Sequence, residues 1–172
     1  MFRPNLSNVS RKRTLRPLYA NTQATPWGGF LDPDWDHSFD ILPGTVMARA
    51  YGEVFTPFTG ESNQVPFGLS ALFDAPTLGV SEVTGDGTNL FTVWVGDSQA
   101  VFEVLAPAFD TDANWTVTPG VPQGLTGNSE GKLTTAGVTS ENVIAELIDV
   151  VSTDKIVVRL NRIPGSVGAG GS

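Results

Sequence analysis

Leu42-Pro43-Gly44-Thr45-Val46-Met47-Ala48-Arg49-Ala50-Tyr51-Gly52-Glu53-Val54-Phe55-Thr56-Pro57 is the stretch that decides the fold class. After the turn signal Leu42-Pro43-Gly44, Val46, Ala48 and Ala50 alternate with Met47, Arg49 and Tyr51, the period of two that a strand needs. Gly52-Glu53 makes a two-residue connection, because glycine at the first central position suits a type II′ turn. Val54-Phe55-Thr56 returns as a second strand, and Pro57 ends it.

Working outward, the strongest further pair is Leu90 to Val95 and Gln99 to Leu105, expected as a hairpin through Gly96-Asp97-Ser98. Thr92, Val93, Trp94 and Val95 are strand formers, and Val101, Glu103 and Leu105 alternate with Ala100, Phe102 and Val104. Pro66 to Phe73 is compact and apolar, and reads as either a short helical turn or a plug over the core. From Pro107 to Asn142, glycines 120, 124, 127, 131 and 137 imply long loops, with a short strand near Lys132 to Thr135. Val143 to Val151 fits helical and strand periods alike, but Ser152-Thr153-Asp154 and the β-rich Lys155 to Leu160 favour a second hairpin. Composition agrees, since 19 glycines and 12 prolines in 172 residues interrupt every long helix.

With 40% hydrophobic residues the chain can bury a core, and its length suits one domain. It has no cysteine, which excludes disulfides, thiolate metal sites and a thiol nucleophile. No run of about 18 apolar residues is present to cross a membrane as a helix, and the first 30 residues lack a signal-peptide core. The net charge of −8 conceals a split. Arg3, Arg11, Lys12, Arg13 and Arg16 give the first 31 residues +5, while five basic residues against 18 acidic ones leave −13 on the rest. Residues 1–40, with Pro4, Pro17, Pro26 and Pro33 and no sustained period, read as an extended arm studded with Tyr19, Trp27 and Phe30.

Candidate chemistry is sparse. His37, the single histidine, lies in Asp32-Pro33-Asp34-Trp35-Asp36-His37-Ser38-Phe39-Asp40, which holds every member of an acid/base constellation without a nucleophile elbow. A solvated or interface histidine is the preferred reading. Asp32, Asp34 and Asp36 have the spacing of a calcium loop, yet His37 and Pro43 occupy the positions where that loop needs glycine and glutamate. An acidic turn facing a basic neighbour is preferred there. Gly85-Asp86-Gly87 has Leu90 in place of the third glycine of a dinucleotide fingerprint, and reads as a turn. No catalytic residue, metal ligand or cofactor is assigned. Arg11-Lys12-Arg13 and Arg16 could neutralise nucleic acid phosphates, but the −13 body repels a polyanion, so an acidic protein surface is the better partner. Trp94 is expected in the core, and Trp27 and Trp35 at an interface.

Leu42–Ala48 followed by Gly52–Phe58 resembles the opening β-turn-β of head decoration proteins related to the lambda-type trimeric decorator. Phe67-Gly68-Leu69 to Phe73, Val93-Trp94-Val95-Gly96 and Phe102 to Asp110 are similar to decoration or minor capsid proteins of phages that infect actinobacteria. The resemblance implies a non-enzymatic capsid decoration or cement protein of a tailed bacteriophage. Such a protein adds to the outer capsid surface of the virion after assembly in the host cytoplasm, commonly as a homotrimer, and clamps subunits of the major capsid protein.

The expectation is therefore a mainly β fold, a small β-sandwich or barrel-like domain with long loops preceded by an extended N-terminal arm. The arm spans 1–40, the β decoration domain 41–163 and a flexible Gly-rich tail 164–172. Arg3, Arg11, Lys12, Arg13 and Arg16 are the expected electrostatic contacts with the capsid, and Tyr19, Trp27 and Phe30 its apolar anchors. Removing residues 1–30 is expected to leave a folded β-domain. The alternatives are another virion surface module, from a tail or baseplate or for carbohydrate, and a hydrolase using His37.

Overall fold

The alternation around Val46 does build a strand, and that strand is shared by two layers. A computed structural model of the chain describes residues 13–18, 24–83, 89–96 and 100–161. Its strands are β1 (Leu15–Pro17), β2 (Ala24–Leu31), β3 (Val46–Tyr51), β4 (Val54–Pro57), β5 (Pro66–Ser70), β6 (Asp74–Ala75), β7 (Val80–Ser81), β8 (Leu90–Gly96), β9 (Val101–Leu105), β10 (Gln123–Gly127), β11 (Leu133–Thr134), β12 (Ala145–Ser152) and β13 (Lys155–Leu160). The fold is mainly β, as the composition and alternation imply.

Strands β2, β4, β3, β5 and β8 close into a barrel, and β1, β9, β13, β12, β10 and β11 form a six-stranded sheet in that order. Strands β6 and β7 make a separate small ribbon. Leu31, Met47, Phe55, Phe67, Phe91, Val93 and Val95 belong to one core cluster, in the barrel. Val46, Ala48 and Leu69, from β3 and β5, instead pack with Phe102, Val104, Leu125, Ile156 and Val158 of the sheet. Consecutive residues of β3 thus serve opposite cores, as alternation on a doubly covered strand requires.

The hairpin of β3 and β4 stands as expected, with Gly52 at φ +50° and Tyr51 opposite Val54. So does that of β12 and β13. The strands at 90–96 and 101–105 form where expected, but not as a hairpin. Both edges of β8 are taken within the barrel, by β2 and β5, which leaves none for β9. Strand β9 pairs with β1 and β13 in the other layer. The chain leaves the barrel at Gly96, where a Cβ would stand 2.4 Å from the Asn161 carbonyl oxygen and 2.5 Å from that of Leu160. Pro66 to Ser70 is neither helical turn nor plug but β5, every residue of which is buried.

The N-terminal region departs most from expectation. Leu15–Pro17 pairs with β9, and Ala24–Leu31 pairs with β8 over seven positions, so the folded body begins well before residue 41. Pro26, Gly28 and Gly29 erase the apolar alternation by which a strand is recognised, which is why the segment reads as an arm. Gly29 is dictated by closure of the barrel: a Cβ there would lie 2.2 Å from the Glu53 carbonyl oxygen. The tail 164–172 lies outside the described residues.

Two outcomes follow from the placement of β1 and β2. A chain lacking residues 1–30 loses β1 and most of β2, and is expected to show no cooperative thermal transition by circular dichroism, whereas one lacking 1–12 loses no described strand and keeps it. Gly29→Ala is expected to cost about 1–3 kcal/mol in urea unfolding, the range for overpacking.

Candidate functional site

The residues expected at an interface are divided between the two layers. Arg3, Arg11, Lys12 and Tyr19 lie outside the described residues. Arg13 stands just before β1 and is tied to the body: its Nη1 donates to the Ala71 carbonyl at 3.0 Å, and its Nη2 lies 3.1 Å from Glu82 Oε1. Glu82 is itself held, since its Oε2 accepts from the Phe73 amide at 2.9 Å. The neighbouring Thr14 donates its hydroxyl to the Pro43 carbonyl. Together these bonds fasten the start of the described chain to the loops around β5 and β6. Arg16 turns back to the Arg13 carbonyl at 3.3 Å and is in register with Glu103 of β9.

Trp27 and Phe30 share β2 but face opposite ways. Trp27 packs against the barrel cluster, edge-on to Phe67 at 5.6 Å, with the Arg49 guanidinium 5.8 Å from its ring centroid. Phe30 is 40% exposed and opposes Leu90. Trp35, also expected at an interface, packs against the barrel cluster and is 4.8 Å from Phe39. Trp94 lies partly buried against the sheet core.

Between β1 and the β2–β8 ribbon runs a groove of about 530 Å³, lined by Arg13, Leu15, Pro17, Ala24, Trp94 and Phe102 among others. Its walls are apolar and Arg13 is the charged group on its lip. The sequence marked Arg13 but not the groove, because its walls come from segments far apart in the chain. Pro17 has no amide hydrogen, which weakens the edge of the sheet for further strand pairing.

The acidic loop after β2 is turned inward on itself. Asp32 Oδ1 accepts from the Asp34 amide and Asp36 Oδ1 from that of Ser38, both at 3.0 Å. Asp40 accepts from the amide and hydroxyl of Thr77. Among the described residues no group of three or more histidines and carboxylates is placed to hold a metal ion. His37, half exposed, sits with Nδ1 3.2 Å from the buried Asp74 Oδ2, and Ser81 donates to Asp74 Oδ1 at 3.0 Å. The carboxylate is thus the serine's partner. A serine nucleophile needs the imidazole on its own hydroxyl, so this grouping is not a hydrolase triad.

Arg13, tied to Ala71 and Glu82, thus stands at an apolar groove on a body rich in carboxylates. A family model described as phage cement protein matches residues 1–172. The chain belongs to the phage cement protein family. No curated protein and no solved structure matches it. As a cement protein it is a structural component of the virion that stabilises the phage capsid.

Arg13→Ala removes the bonds to Ala71 and Glu82. Since the pair is well exposed, the expected loss is at most about 1 kcal/mol in thermal or urea unfolding, with the transition still cooperative.

Proposed function

We propose that the protein binds the outer surface of the phage head and stabilises contacts between major capsid subunits, with its basic N-terminal segment as the electrostatic contact. The observation that carries this reading is the charge split, +5 in residues 1–31 against −13 in the remainder. Because Arg13 is stapled to Ala71 and Glu82, residues 1–12, with Arg3, Arg11 and Lys12, start from a fixed point. Twelve residues reach about 40 Å when extended, enough to cross a subunit boundary.

Head binding as a homotrimer would present three basic segments at once, and their effective concentration raises avidity without a large interface on each copy. A protein that binds the assembled shell and not its separate subunits stabilises the shell by mass action. No catalytic step is assigned, in keeping with the way His37, Asp74 and Ser81 are joined. The protein is made in the host cytoplasm and acts on the outer capsid surface.

The test compares the full chain with one lacking residues 1–12 in co-sedimentation with expanded heads. The full chain should sediment with heads at low salt and be partly released as salt rises, while the truncated chain binds at least tenfold more weakly. Unchanged affinity of the truncated chain would sink the reading.

A further inference from the structure

Strand β2 carries two adjacent glycines, and among the described residues only Gly29 has neighbours that demand it. Gly29 faces Glu53 and Phe55 at distances that no side chain tolerates, while a Cβ on Gly28 would meet nothing within 4 Å. Nor does Gly28 adopt a left-handed backbone conformation. A glycine inside a strand weakens it, and where no bulge or bend demands one it marks a place where another backbone comes close. Among the described residues, no atom lies within 4 Å of where a Gly28 side chain would start.

Its surroundings point the same way. The register pairs Pro26 with Trp94, Gly28 with Thr92 and Phe30 with Leu90, and these six residues alternate with the barrel-facing Trp27, Phe91 and Val93. This face of the ribbon therefore carries no charge over three successive cross-strand pairs, about 13 Å of strand; the sheet packs against it at Trp94, so its open part is the Gly28–Thr92 and Phe30–Leu90 pairs. Phe30 and Leu90 are 40% and 51% exposed. Two grooves meet along it, the one of about 530 Å³ beside β1 and another of about 400 Å³ around Gly28 and Phe30, both lined by Leu72 and Thr92. The charged residues lining them are Arg13 in the first and Glu53 and Glu82 in the second, with Glu82 paired to Arg13.

We propose that the outward face of the β2–β8 ribbon is a second contact with the phage head, taking an extended, uncharged segment of the capsid shell whose backbone crosses at Gly28. This rests on reading the chain as a head-binding protein. Two features select the shell as occupant. The groove is continuous with Arg13 and β1, from which the basic segment assigned to the head departs, so both contacts lie on one side of the molecule. Cement proteins associate with the phage capsid, which makes the shell the occupant that the family itself points to.

The experiment uses the full chain carrying Gly28→Glu or Gly28→Lys, with Val151→Lys as control, since Val151 is as exposed as Leu90 but stands on β12. The open space around Gly28 lets both variants fold with the wild-type thermal transition, and Leu90→Lys provides a second disruption of the same face. Expanded heads should bind both Gly28 variants and Leu90→Lys at least tenfold more weakly than wild type, and Val151→Lys equally well. Wild-type affinity of either Gly28 variant overturns the inference. So does a change in self-association, by sedimentation velocity, with head binding intact, because the occupant is then a second copy. Loss of binding on deleting residues 1–12 but not in the Gly28 variants defeats the ribbon contact alone. The converse defeats the N-terminal contact alone, and a wild-type chain that ignores heads defeats both.

Discussion

Strand β3 is the constraint on which the rest of the molecule depends. Val46, Met47 and Ala48 are fully buried, yet Met47 belongs to the barrel core and its two neighbours to the core under the six-stranded sheet. One strand is the wall of both compartments. It is held there along its backbone as well, with the Val46 amide donating to the Gly131 carbonyl at 2.7 Å and its carbonyl accepting from Phe58 at 2.9 Å. A polar residue at Val46 or Ala48 would disturb the packing between layers, and one at Met47 the barrel interior.

How much of this was legible in the sequence depended on whether a strand had one wet face. Strands β3, β4, β12 and β13 show alternation or a clear turn, and their hairpins stand where those signals place them. Strand β5 is buried throughout, so Pro66-Phe67-Gly68-Leu69-Ser70 shows no alternation to read. Strand β2 hid for another reason. Pro26, Gly28 and Gly29 interrupt its alternation, and at Gly29 barrel closure outweighs strand propensity. The strands β8 and β9 were legible as strands, but their partners were not, since pairing was decided by barrel closure rather than by the short connection between them. For the binding surface, the basic residues and Phe30 were visible by type. Glu82, which fastens Arg13, lies 69 positions away, and nothing local announces it.

Electrostatics and packing assign separate tasks to the two ends of the chain. The described acidic loop residues Asp32, Asp36 and Asp40 bond to nearby amides and hydroxyls, so they shape the turn as well as charge the surface. Five of the ten basic residues precede β2 in the sequence, and one of them, Arg13, lines the apolar groove. For a cement protein this is a workable division. Charge supplies attraction at a distance and is weakened by salt, whereas apolar contact in a groove acts only on touching and is much less sensitive to it.

The route of the chain between layers bears on how the molecule comes into being. It enters the sheet as β1, builds the barrel through β2 to β8, and returns to the sheet at β9, the neighbour of β1. The first sheet strand must wait for a partner nearly ninety residues further on, and the barrel's β2 waits for β8. The sheet contains a gap that only the barrel's stretch of chain leads across, whereas the barrel strands come from one stretch, residues 24–96. Such non-local pairing makes for slow, all-or-none acquisition of structure. For a protein that must persist on a virion, the consequence is that its first strand is locked only when β9 has arrived beside it.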